Sequence, residues 1–257
     1  MEPMDAAVLE LSTKGLLEWL EEDCLYLLQY VYDNFFTAEQ DKIIAVEQDV
    51  QEPIRGKIDL LLDKGRLVVR DWKTAGKLDD RWALRQERSK QFPLYASIIF
   101  DQYKEIPLVE VVGLSIDEDN KTGKRKIGSK TLTMEYSEKD LIRAVEEVNQ
   151  LIVLTKTLDP HVPWPRNESG CRCFGDMYKC PFEDICWKQK NNADFVLDTT
   201  PELSYSGISE WLRCMERRRL LKSRNWDEEP SEKLALGTAF HDAVAAMYKT
   251  KERHGRE

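Results

Sequence analysis

The sequence contains no run of 18 or more apolar residues, so it offers no candidate for a membrane-spanning helix. It also lacks the basic start and apolar stretch of a secretory signal, because its first residues, MEPMDAAVLE, are acidic. A phosphate loop of the GxxxxGK(S/T) type is absent as well, so any unwinding of nucleic acid must come from another protein. These absences predict a soluble, cytoplasmic protein without a motor of its own.

Positively charged residues are fewer than negatively charged ones: the sequence has 38 Lys and Arg residues and 47 Asp and Glu residues, which gives a formal net charge of −9. This balance argues against a protein that holds nucleic acid by overall electrostatic attraction. Local basic patches remain, at residues 121–130 and 213–224. The first patch is equally well explained as a loop tip, and the second as the solvated face of a helix.

Hydrophobic periodicity predicts an α/β fold. A helical segment over residues 6–36, which Gly15 interrupts, precedes a strand over 43–50. The apolar runs 56–62 and 66–72 are joined by a short Asp-Lys-Gly connection, which predicts a hairpin. Further helices are predicted over 89–103, 137–157, 206–221 and 231–251, and further strands over 108–116 and 131–136. The result is a mixed sheet of about five strands flanked by helices.

Three charged residues lie within this apolar hairpin. Side chains alternate along a strand, so Asp59, Asp71 and Lys73 are expected to converge on one face. Carboxylates suit the hard cations Mg²⁺ and Mn²⁺, and a lysine beside them can orient a water molecule or offset developing negative charge. The alternative is that Asp71 and Lys73 are surface charges at a strand end, because the D-x-K spacing is common.

The surrounding residues resemble a known family. GKID, ending at Asp59, and VVRDWKT, around Asp71, are similar to the central motif of the RecB-like branch of the PD-(D/E)xK nucleases. Glu47 stands where that family has an upstream acidic residue, and QFPLY resembles the QxxxY motif of the branch. The resemblance implies a restriction-endonuclease-like sheet, a Mg²⁺ or Mn²⁺ site, DNA as the substrate, and positioning roles for Gln91 and Tyr95.

A cysteine cluster follows the predicted nuclease core. Four of the six cysteines lie close together, at Cys171, Cys173, Cys180 and Cys186. Without a secretory signal, such a cluster indicates a metal site rather than disulfides. It also resembles cluster-bearing RecB-like nucleases, which include AddB-type, CRISPR-associated adaptation and phage enzymes.

That resemblance implies a 4Fe-4S cluster held by Cys173, Cys180, Cys186 and Cys214, with Cys171 as the alternative to Cys173. The spacing departs from the commonest family pattern. A zinc site made by the four clustered cysteines therefore remains open, and so does the absence of any metal. Cys24, on an apolar helix face, is predicted to be a core residue.

The order of the motifs differs from the family. LGTAFH, ending at His241, resembles its histidine motif, which implies that His241 joins Asp59 and Asp71 in holding the metal. In the family this motif and the cysteine-bearing helix precede the hairpin, whereas here they follow it. We therefore hypothesise a circular permutation, natural or engineered. The alternative is that residues 204–257 begin a truncated second nuclease copy.

Four segments are predicted from these motifs. Residues 1–160 form the nuclease core, 161–190 the cysteine segment and 191–203 a linker, while 204–257 form a helical segment that completes the same domain. The predicted function is that of a Mg²⁺- or Mn²⁺-dependent deoxyribonuclease, with exonuclease action favoured, in DNA repair, recombination or phage or CRISPR DNA processing. A helicase or recombination protein is the expected partner.

Two alternatives have other functions. One is a non-catalytic DNA-binding scaffold that keeps the nuclease fold. The other is a zinc-stabilised adaptor in which the hairpin charges are incidental.

Overall fold

The computed structural model of the protein describes residues 1–50, 55–118, 125–158, 214–215 and 232–252. The chain divides into two compact units. The first, which we call the sheet unit, comprises Met1–Val50, Lys57–Ala144 and Pro230–Glu257. The second comprises Gln51–Gly56 and Val145–Glu229, of which the described part is mainly the second half of one helix.

The described helices precede, separate and follow two groups of strands. The helices are α1 (Pro3–Ser12), α2 (Glu18–Val31), a π-helical turn (Tyr32–Phe36), the short α3 (Thr37–Glu39), a 3-10 turn (Gln40–Lys42), α4 (Asp80–Glu87), α5 (Gln91–Tyr103), α6 (Glu138–Thr157) and α7 (Glu232–Lys249). The strands are β1 (Ile43–Val50), β2 (Gly56–Asp63), β3 (Leu67–Thr74), β4 (Leu108–Glu118) and β5 (Arg125–Met134).

The five strands form one mixed sheet in the order β1-β2-β3-β4-β5. Strands β2 and β3 are antiparallel, β3 and β4 are parallel, and β4 and β5 are antiparallel. The parallel step requires a crossover, which α4 and α5 supply. This architecture confirms the predicted α/β class and the mixed five-stranded sheet.

Helices cover both faces of the sheet. Val68 and Trp72 of β3 belong to the apolar cluster formed with α1, α2 and α7, whereas Leu67 and Val69 belong to the cluster formed with α4 and α5. A strand buried on both faces is apolar throughout, which explains the run LVV. Cys24 is completely buried in the first cluster, as predicted.

Helix α4 was not predicted, because its sequence DRWALRQE is largely polar. The sequence signal for this helix lies just before it, where the Asp79 carboxylate accepts a hydrogen bond from the Trp82 amide at 2.9 Å and caps the helix.

Strand β5 begins at Arg125, so the second part of the basic patch 121–130 is strand rather than the predicted loop. Its side chains alternate in exposure, as expected at a sheet edge.

Helix boundaries elsewhere follow the sequence signals. Gly15 separates α1 from α2 with a φ of 60°, a conformation that glycine adopts without strain. Ser137 caps α6, where the Asp140 amide and carboxylate exchange hydrogen bonds with Ser137. Among the helices that the structure describes, none combines the length and hydrophobicity that a membrane crossing requires.

Several predictions concern residues outside the described ranges. They are the segments 161–190 and 191–203, the clustered cysteines Cys171, Cys173, Cys180 and Cys186, and most of the helix expected over 206–221. Cys214, which is described, is buried.

Candidate active site

The β2–β3 hairpin positions the first carboxylate. The described pairing between these strands ends at Leu60 opposite Arg70, and Asp59 is the next residue of β2. Its Oδ2 accepts a hydrogen bond from the Trp72 amide at 2.9 Å. The carboxylate is therefore held by the backbone of β3, between Asp71 and Lys73.

The second carboxylate lies deeper. The Asp71 side chain is 2% exposed, and its Oδ2 lies 2.5 Å from the Lys73 ammonium. Its Oδ1 accepts a hydrogen bond at 3.0 Å from the side-chain amide of Gln91, in the first turn of α5. Gln91 also interacts with the hydroxyl of Tyr95, one helical turn further along. The structure thus brings Asp71, Lys73 and both residues of the QxxxY motif together.

The third component comes from the far end of the chain. His241, on α7, places its Nδ1 3.2 Å from Asp59 Oδ2. The two side chains are 31% and 20% exposed, and Lys73 is 30% exposed, so the site opens to solvent above the buried Asp71. A ligand can therefore contact Asp59, Lys73 and His241 at the same time.

The charges in the site shift one another's pKa values. Burial raises the pKa of Asp59, but the charge and hydrogen bond of His241 outweigh it, and the pKa is lowered overall. Burial would lower the pKa of His241, yet Asp59 raises it. The pKa of Asp71 rises to about 6, because burial and the neighbouring Asp59 outweigh the attraction of Lys73. Burial is thus the main reason why Asp71 holds its proton more strongly than an ordinary aspartate.

Glu47 has a partly different environment from the one predicted. It lines a small cavity with Asp59 and His241, as a supporting residue should. Its carboxylate, however, pairs with Lys57 at 3.2 Å and with Lys249. Its φ of 51° is unusual for a non-glycine residue in a strand.

The donor chemistry fits a hard divalent cation. Carboxylate oxygens such as those of Asp59 and Asp71 are the ligands that such cations prefer, and Asp71 Oδ2 is paired with the Lys73 ammonium at 2.5 Å. The 3.2 Å between His241 Nδ1 and Asp59 Oδ2 is close to the spacing of roughly 3 Å between adjacent ligands of an octahedral ion with bonds of about 2.1 Å. Within the described ranges, however, no group of three or more His, Cys, Asp or Glu side chains is arranged to hold a metal. Binding would therefore require Asp59, Asp71 and His241 to adjust.

Two contacts were missed by sequence reasoning. The Trp72 amide that holds Asp59 leaves no trace in the sequence. The ring of Phe92, whose centroid lies 6.0 Å from Lys73 Nζ, sits within the QFPLY motif and could have been found there.

Fold and site together define a class: a mixed sheet whose central hairpin presents two carboxylates and a lysine. A family model described as the PD-(D/E)XK nuclease superfamily matches residues 2–187, well over half of the chain. The chain therefore belongs to the PD-(D/E)XK nuclease superfamily. The match includes the hairpin and α5 but ends before His241. No curated protein matches the chain.

Proposed function

We propose that this protein is a Mg²⁺- or Mn²⁺-dependent deoxyribonuclease that hydrolyses phosphodiester bonds. The observation that carries the proposal is the convergence of Asp59, Asp71 and Lys73 at an opening of the sheet unit, with His241 beside them. Membership of the superfamily supports a nuclease in general. The finer assignment to DNA rests on the sequence resemblance.

In this proposal, Asp59, Asp71 and His241 hold the cation. When bound, it would polarise a phosphoryl oxygen and lower the pKa of a water molecule. Lys73 directs its ammonium into the opening, where it can donate a hydrogen bond to the attacking water or to a phosphate oxygen. Gln91 fixes the orientation of Asp71 through its amide, and the Trp72 amide does the same for Asp59.

The RecB-like assignment and exonuclease action also belong to this proposal. The RecB-like assignment is supported by the position of Gln91 and Tyr95 beside Asp71, and exonuclease action rests on the sequence resemblance. The permuted motif order is supported by the packing of α7 against α1 and by the contact of His241 with Asp59. A helicase or recombination protein would act as the partner.

The cysteines are proposed to hold a 4Fe-4S cluster through Cys173, Cys180, Cys186 and Cys214, with Cys171 or a zinc ion as the alternatives. Iron, sulfide and zinc analysis of protein purified without oxygen distinguishes these cases. Iron and acid-labile sulfide in equal amounts would support the cluster. Zinc alone would replace it with the zinc site.

The first experiment measures cleavage of end-labelled single-stranded and double-stranded DNA with Mg²⁺, Mn²⁺ or EDTA. Lys73→Ala is expected to reduce the cleavage rate by a factor on the order of 100 to 1,000, because a positioned donor at the reacting phosphate is lost. Lys42→Ala, at an exposed lysine outside the site, is the matched control and should cut like the wild type.

The pattern of labelled products separates exonuclease from endonuclease action. Equal cleavage by Lys73→Ala and wild type would refute the assigned site. A folded, metal-loaded wild type that binds DNA without cutting it would instead support the non-catalytic scaffold.

A further inference from the structure

An open groove of about 310 Å³ lies at the end of β3. Three residues that line it, Thr74, Ala75 and Gly76, follow Lys73 directly along the chain. Another lining residue, Leu236, lies on α7 about one and a half turns before His241. Side chains alternate along β3, so Thr74 faces α7 with the groove, whereas Lys73 faces Phe92 of α5. The groove therefore adjoins the candidate active site on its His241 side.

The groove combines an apolar floor with an exposed aromatic ring. Leu27 and Leu114 are buried and form part of the floor. Trp19, in the first turn of α2, also lines the groove and is 46% exposed. An indole left in water beside an apolar floor offers a stacking surface to a flat ligand.

The charges around the groove disfavour a phosphate group. Of the described residues that line it, none is Lys or Arg, and the charged ones are Asp23 and Glu232. Asp23 is paired with Arg125, and Glu232 is exposed. Thr74 and Ser115 contribute hydroxyl groups. Flat, uncharged groups with amino donors suit this lining, and nucleobases have these properties.

We propose that the groove binds one unpaired nucleobase of the DNA strand that enters the candidate active site beside His241, with the base stacked on Trp19. This inference rests on the proposed function and specifies its substrate. A base within a duplex is paired and stacked, so it reaches the groove only from a single strand or a frayed end. The protein would therefore prefer single-stranded DNA or open duplex ends to intact duplex.

The test compares wild type, Trp19→Ala, Trp19→Phe and the control Leu9→Ala, which alters an exposed leucine of α1 that does not line the groove. Fluorescence anisotropy in EDTA gives the Kd for a labelled single strand, and steady-state cleavage with Mg²⁺ gives kcat and KM. Loss of one stacked base is expected to raise Kd and KM on the order of tenfold in Trp19→Ala. Trp19→Phe should retain most of the affinity, and Leu9→Ala all of it.

A series of strands, each with one abasic position, locates the stacked base. The wild type should lose affinity at one position next to the cleaved bond, and the same abasic strand should cause no further loss in Trp19→Ala. Uniform effects along the strand, or an unchanged Kd and KM in Trp19→Ala, would overturn the inference while leaving the nuclease assignment intact. A wild type that neither binds nor cuts DNA would overturn both.

Discussion

Arg70 is as deeply buried as the neighbouring Asp71, with 2% of its side chain exposed. It pairs with the carboxylates of Glu39 and Glu110, and Lys64 contacts both carboxylates. Arg70 and Asp71 are neighbours on β3 and point to opposite faces of the strand. The network therefore anchors the strand segment that carries the candidate catalytic residues.

Replacing Arg70 by methionine is expected to lower the free energy of unfolding by about 3–5 kcal/mol, because two buried carboxylates lose their main partner. Urea unfolding monitored by circular dichroism measures this loss. Arg66→Met is the control, since Arg66 forms an exposed pair with Glu135 and should contribute less than about 1 kcal/mol. Equal stability of the two variants would show that the buried network is dispensable.

Gly113 permits a close approach between β4 and α4. A methyl group there would lie 2.4 Å from the Trp82 ring and 2.7 Å from a methyl carbon of Leu78. Gly113→Ala should therefore cost about 1–3 kcal/mol of stability through overpacking. Gly76→Ala is the control, because a methyl group at Gly76 meets nothing within 4 Å. Thermal unfolding of both variants measures this loss of stability. An unshifted Tm in Gly113→Ala would contradict the predicted overpacking.

At the scale of elements, α4 depends on its cap more than on its composition. Asp79→Ala should lower the stability of the protein by about 1 kcal/mol, because the Trp82 amide loses its acceptor. Asp79→Asn retains an oxygen acceptor and should stay close to wild type. Urea unfolding measures both variants, and hydrogen exchange locates the effect. Unchanged amide protection in α4 of Asp79→Ala would show that the tertiary contacts of Trp82 hold the helix without its cap.

Across the whole molecule, stability should fall in acid partly through Glu110. Burial raises the pKa of Glu110, but Arg70 and Lys64 outweigh it, so the folded-state pKa lies below the ordinary value of 4.5. A carboxyl group whose pKa is lower in the folded state than in the unfolded state stabilises the fold. This contribution is fully present above the unfolded-state pKa and is lost as the pH falls through the folded-state pKa. The contribution of Glu110 is therefore largest near neutral pH.

The measurement is the free energy of unfolding against pH for wild type and Glu110→Gln. The difference between the two curves should be constant near neutral pH and shrink progressively below about pH 4.5. Glu135→Gln, at an exposed partner of Arg66, should follow the wild type throughout. A difference that does not depend on pH would assign the effect of Glu110→Gln to packing instead.

The sequence by itself determined most of the elements. Apolar periodicity predicted β1, the β2–β3 hairpin, α5 and β4 within a few residues, because each buries one or both faces in a core. Apolar periodicity did not predict the elements that bury few side chains. Helix α4 is mostly polar, and the first half of β5, RKIGS, begins with two basic residues and contains a glycine, which is typical of a loop.

The sequence also determined Asp59, Asp71 and Lys73 as the centre of the candidate site, since local alternation along a hairpin places them together. The sequence resemblance also implied His241, Gln91 and Tyr95 as neighbours of this centre. Only the tertiary structure decided which of their atoms meet it and what else lies beside it. The contact of His241 with Asp59 and the groove beside Trp19 both join α2 or α7 to the sheet across long stretches of chain. Such contacts depend on how helices pack, which periodicity within one segment does not encode.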